Sequence, residues 1–231
     1  SVADGVLRLT ALRPMTDRLT HVRVTHALFP ATFVIPLSET ITITQMHVPV
    51  DDTRTYWYSF FTGFAEPLDR EAMRTQRLAC VTLPDYVPIH GRHDAWRFDP
   101  GEQRSRTYLG MGEDDINLHD QWAVESMGAI QDRTREHLGT SDKVIMANRR
   151  TLVKAIETVR AGGRPPMALT AAEAATLNGP DTIDCIAPAD RWEEHWTDAA
   201  RAKRSAATWL RAAAGEAARS DANSSAAEAG R

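Results

Sequence analysis

Residues Ala31–Asp52 read ATFVIPLSETITITQMHVPVDD, and the second half of this stretch decides the fold class. Ile41, Ile43, Gln45 and His47 fall on one side of an extended chain, while Thr42, Thr44, Met46 and Val48 fall on the other. Such a period of two marks a strand rather than a helix. Asp51 and Asp52 supply the turn that follows. Upstream, GVLRLTALRP (Gly5–Pro14) alternates Leu7, Leu9 and Ala11 with Arg8 and Thr10. THVRVTHALFP (Thr20–Pro30) sets Val22, Val24 and His26 against Arg23 and Thr25, and Pro30 closes it. Downstream, TYWYSFFTGF is a further strand ending near Gly63. Short turns between β-rich runs predict an antiparallel meander.

After the sheet the chain changes character. LDREAMRTQRLACVTLPDY opens as a helix, and VPIHGRHDAWRFDPGEQRSRTYLGMG reads mostly as loop. His90 and His93 lie three apart, but Gly91 disfavours a helix there and no third ligand is near, so a metal reading is set aside. Strand histidines His21, His26 and His47 read as structural.

Glu113–Asp142, EDDINLHDQWAVESMGAIQDRTREHLGTSD, begins with three acids that suit a first helical turn. Ile116, Ala123, Met127 and Ile130 predict one buried side, and Asp120 falls within this helix. Asp115 and His119 have i, i+4 spacing and could share a metal, although the helix start accounts for Asp115. Thr140 or Ser141 caps a second helix, packed through Ile145, Leu152, Ile156 and Val159 and stopped at Gly162–Pro166. Thr170 and Glu173 form a capping box. From Thr197 an Ala/Arg helix is expected, and SDANSSAAEAGR has a disordered composition.

The 231 residues carry a net charge of −4, which points to neither nucleic acid nor an anionic membrane as partner. No run approaches the roughly 18 apolar residues of a membrane span, and a cytoplasmic location is expected. The two cysteines, Cys80 and Cys185, build no disulfide framework and cannot by themselves hold a Rieske cluster, which needs two cysteines and two histidines.

HDQWAVESMGAIQDRTREHLGTSD (His119–Asp142) closely resembles the segment bearing the iron-ligating aspartate in catalytic (alpha) subunits of phthalate dioxygenase-like Rieske non-haem iron ring-hydroxylating oxygenases. MHVPVDDT resembles a recurrent strand-turn segment of the same family, and DTIDCIAPADRWEEHW its C-terminal end. Residue by residue, the resemblance makes Asp120 the metal ligand; His119 stands where the family often has glutamine. It implies an α+β fold with an antiparallel sheet curved around a long helix, a helix-grip or START-like catalytic domain present in part. Residues 1–165 would be the C-terminal part of that domain, 166–215 a partly helical extension and 216–231 a disordered tail. The start at Ser1 suggests the C-terminal part of a longer protein.

The implied activity is hydroxylation or demethylation of aromatic acids with O2 at a mononuclear Fe(II). Electrons would come from a reductase through a [2Fe-2S] Rieske cluster in an N-terminal domain missing here. The family's two histidine ligands have no counterpart in this sequence, so the chain alone is expected to be inactive. Arg8, or Arg13, could match the arginines that hold substrate carboxylates, whereas Gln45 stands where a second would be placed. A homotrimer is the assembly the family suggests. The alternative is a non-enzymatic small-ligand-binding domain of the same fold.

Overall fold

A computed structural model describes residues 5–113, 115–177 and 179–210 of the chain. The strands are β1 (Val6–Pro14), β2 (Leu19–Leu28), β3 (Thr32–Pro36), β4 (Ile41–Pro49), β5 (Thr55–Gly63), β6 (Val81–Thr82), β7 (Val87–Pro88) and β8 (Ile183–Pro188). The helices are α1 (Arg70–Leu78), α2 (Pro100–Ser105), α3 (Ile116–Glu125), α4 (Lys143–Arg160), α5 (Ala171–Ala175) and α6 (Trp192–Ala206). Two compact units result. One holds β1–β5 and everything from Leu138 onward; the other holds Val50–Arg54 and Leu68–His137.

In the first unit five strands pair antiparallel in sequence order, and β8 joins beside β2. The alternation read at β4 is present: Ile43 and Gln45 are buried, while Met46 and Val48 are exposed. Leu19–Val24 of β2 pairs with β8, although the sequence marked Ile183–Pro188 only as a short segment. Val22, Val24, Ile183, Cys185 and Ala187 form the core, covered by Trp192, Trp196 and Ala199 of α6. Burying each of the larger aliphatic side chains is worth about 1.5–3 kcal/mol, so the two ends of the chain are tied together through β2 and β8.

The expected sheet curved around a long helix is not what forms. The sheet is open and not strongly curled, with β1 and β5 at opposite ends of its path. Strong curvature needs bulges or glycine kinks, yet β1–β2 and β4–β5 each run through their pairing without a slip in register. The 18-residue α4 lies against β1 at the sheet's end, and α6 covers β2 and β8.

Helix α3 is also shorter than expected. Asp115 is its N-cap, accepting from the Asn117 amide at 3.1 Å, and Gly128 turns into the left-handed region at φ 98° three residues past its end. Leu118 is its one buried residue; Ile116, Ala123, Met127 and Ile130 are exposed. The α4 stripe likewise leaves Ile145, Ile156 and Val159 exposed and buries Ala155. The Thr170–Glu173 capping box forms at α5, and Arg164 pairs with Glu173 at 2.8 Å. The disorder read in SDANSSAAEAGR lies outside the described residues. No described helix is long and apolar enough to cross a membrane.

Candidate functional site

The second unit organises the surroundings of Asp120 around a small core of Trp96, Met111 and Leu118. Glu125 at the end of α3 ties that core to the preceding loop. Its carboxylate accepts from Trp96 Nε1 at 2.8 Å and from Gln121 Nε2 at 3.1 Å, while Arg92 donates to its carbonyl. Gln121 also donates to the His90 carbonyl. His90 Nδ1 lies 2.6 Å from Asp94 Oδ2, and the Gly91 amide together with His90 holds the Asp94 carboxyl down at about 2. His90 is therefore part of a loop clasp with Asp94 and Gln121.

Asp120 projects from the exposed side of α3. Neighbouring His119 is half-buried, its Nε2 donates to the Gly112 carbonyl at 3.1 Å, and its Nδ1 is buried without a hydrogen-bond partner. Successive helical residues diverge by about 100°, so the two side chains leave the helix in different directions. Asp115 is committed to its cap and to Arg77 at 3.4 Å. Among the described residues no group of three or more His, Cys, Asp or Glu side chains is gathered so as to hold a metal. The described residues thus do not by themselves fit a mononuclear iron, which takes two histidines and a carboxylate on one face.

The first unit contains a different polar constellation. His21 of β2 and Asp184 of β8 meet at 2.5 Å although 163 positions separate them. Arg13 Nη1 donates to His21 Nδ1 at 3.2 Å, which leaves Nε2 carrying the proton toward Asp184. Arg23 lies 3.8 Å from the other Asp184 oxygen and donates to the Pro36 carbonyl at 3.1 Å. Arg13, His21 and Asp184 line an open cleft of about 590 Å³ walled by Met15, Leu37 and Ile186. Arg8 lies elsewhere, its guanidinium 5.2 Å above the Trp196 ring of α6.

Sequence reading treated His21 as structural and missed its carboxylate, because Asp184 sits in a segment not recognised as a strand. The structural reading also fits His47, stacked on Trp57 and edge-on to Phe33. It fits His26 less well. That ring is 3 % exposed with Nδ1 unpartnered, and burial, then Arg8, pushes its pKa down to about 4. Lys203 was also missed: it is buried, donates to Thr42 Oγ1 at 2.7 Å and to the Thr182 carbonyl at 3.1 Å, and lies 4.5 Å above the Phe64 ring.

The chain is 30% identical over 164 residues to the phthalate 4,5-dioxygenase oxygenase subunit of Pseudomonas putida, covering 67% of this chain and 36% of that protein. It is 29% identical over 171 residues to the 3-chlorobenzoate-3,4-dioxygenase oxygenase subunit of Comamonas testosteroni, covering 66% and 39%. The chain therefore spans less than two-fifths of the length of these relatives, and its similarity to Rieske-type aromatic-ring dioxygenase subunits is distant and partial. The family profile described as "LigXa C-terminal domain like" matches residues 3–195, most of the sequence, and the chain belongs to that family.

Proposed function

We propose that this chain is the C-terminal portion of the catalytic domain of a Rieske-type oxygenase acting on aromatic acids, with residues 1–165 belonging to that domain. The family match across residues 3–195, which takes in Asp120, carries the reading. Asp120 is the carboxylate ligand of a mononuclear iron whose histidines come from sequence outside this chain, and its exposed position on α3 leaves it accessible to them. Bound there, the iron would supply dioxygen activation. A Rieske cluster and a reductase, both outside this chain, deliver the electrons, and a homotrimer is the assembly.

For the substrate carboxylate, Arg13 is better placed than Arg8, since it lines the open cleft together with Met15, Leu37, Glu39 and Ile186 while Arg8 is stacked on Trp196. A charge-assisted contact of this kind binds substrate before and during reaction alike, so its loss raises KM more than it lowers kcat.

The test is made in the intact oxygenase. Asp120→Ala is expected to abolish product formation and to lower iron content while the Rieske absorption spectrum is unchanged. Turnover at the wild-type rate would remove Asp120 from the site. In the same protein, Arg13→Gln is expected to raise KM for an aryl carboxylate by about tenfold, the scale of one lost charged contact.

A further inference from the structure

Three strands meet at His21 in an arrangement that the surroundings of Asp120 do not account for. β1 pairs with β2 along its whole length, and β8 pairs with Leu19–Val24 on the other edge of β2. The register sets Arg13 of β1 directly opposite His21, and Asp184 of β8 directly opposite Arg23. Residues opposed across a pair share a face of the sheet, as do residues two apart on one strand. Arg13, His21, Arg23 and Asp184 therefore rise from one face. Ile183 and Cys185, on either side of Asp184, are buried in the core beneath α6 on the opposite face. Burial of those neighbours fixes Asp184 on the side of His21.

The contacts run in one direction. His21 Nε2 donates to Asp184 Oδ1 at 2.5 Å, with 25 % of the His21 side chain and 23 % of the Asp184 side chain exposed. Arg23, 3.8 Å from the other Asp184 oxygen and bonded to the Pro36 carbonyl, matches the carboxylate's charge. With its proton committed to Asp184, His21 presents a lone pair at Nδ1, and Arg13 Nη1 donates to it at 3.2 Å. A guanidinium has five N–H donors and no acceptor, so this bond leaves the other donors of Arg13 for a ligand. A neutral imidazole holds the guanidinium without cancelling its charge, as a carboxylate in the same place would.

We propose that Asp184 and His21 are positioning residues for Arg13, resting on the reading of Arg13 as the contact for the substrate carboxylate. Asp184 fixes the tautomer and orientation of the imidazole, and the imidazole holds the guanidinium at the cleft before substrate arrives. Arg13 is exposed and its long side chain has many rotamers, so a guanidinium without a holder would have to be ordered by the ligand itself. Glu39 lines the same cleft and offers a competing carboxylate to an Arg13 released from His21. The holder therefore acts on carboxylate ligands and leaves uncharged ligands of the same shape unaffected. Asp184 stands 163 positions from His21, so the C-terminal strand β8 supplies part of the binding apparatus of β1 and β2.

Calorimetric binding of benzoate and of its uncharged counterpart benzamide to the intact oxygenase tests this. Damage to the fold weakens both ligands alike, whereas a misplaced guanidinium weakens only the carboxylate. The wild-type protein should prefer benzoate by about tenfold, the scale of one charged contact, and Arg13→Gln should abolish that preference. His21→Leu and the milder Asp184→Ser should each cut the preference by about threefold or more at unchanged benzamide affinity. His21→Gln should retain it, since the amide oxygen accepts from Arg13 and the amide nitrogen donates to Asp184. Combining His21→Leu with Arg13→Gln should cost nothing beyond Arg13→Gln alone. A full preference in whichever of His21→Leu and Asp184→Ser binds benzamide normally, with Arg13→Gln lacking it, would overturn the positioning role and leave Arg13 as the carboxylate contact. A preference that survives Arg13→Gln, or is absent from the wild-type protein, would overturn both.

Discussion

Two buried titratable groups of the sheet unit, His26 of β2 and Lys203 of α6, make its stability depend on pH in opposite ranges. His26 has a folded pKa near 4, below its ordinary 6.5, because burial and then Arg8 oppose its charge. The unfolded chain binds that proton first, so stability from this group is intact above about pH 6.5 and falls as pH drops toward 4. Urea titrations at pH 7 and pH 4.5 should show a loss on the order of 2 kcal/mol that His26→Phe largely removes. Lys203 has a folded pKa of about 8, lowered from 10.5 by burial and then by Arg204. Its charge is a cost to the folded state below pH 8, and that cost is relieved as pH rises from 8 to 10.5. Stability relative to Lys203→Met should therefore rise across that interval; a flat difference would show that Lys203 is solvated.

At the scale of elements, β8 and α3 show how far local pattern reaches. Ile183 is 2 % exposed in the core beneath α6, and Ile183→Ala should cost about 2–5 kcal/mol in equilibrium unfolding. Hydrogen exchange in that variant should accelerate first along β8 and its partner residues Leu19–Val24. The acids ending at Asp115 were read as the first turn of α3, whereas Asp115 is its N-cap and no acid lies in the first turn; Asp115→Ala should destabilise the helix by about 0.5–2 kcal/mol. Its end was not readable, since the apolar positions continue helical spacing to Ile130 while Gly128 at φ 98° turns the chain away. Periodicity likewise located β1, β2, β4 and β5 but passed over β8. Ile183–Pro188 has no turn signal tying it to a neighbour, and its partner strand lies more than 150 residues earlier.

At the scale of the whole molecule, the two units differ in core. The sheet unit packs Val22, Val24, Ile183, Cys185 and Ala187 beneath α6, whereas the other relies on Trp96, Met111 and Leu118. Amides of the second unit should therefore exchange before those of β2 and β8 in native-state hydrogen exchange; equal protection in both would mean one cooperative structure. The sequence by itself determined the α+β class, the strands with clear alternation, the cap at Thr170, and the resemblance that singled out Asp120. These are local properties, set by residue order over a few turns or pairs. Only the tertiary structure decided that the sheet stays open, that β8 closes beside β2, that His21 meets Asp184, and that the apolar stripes of α3 and α4 remain exposed. Each depends on which distant segments pack together, and a one-dimensional period cannot specify that pairing.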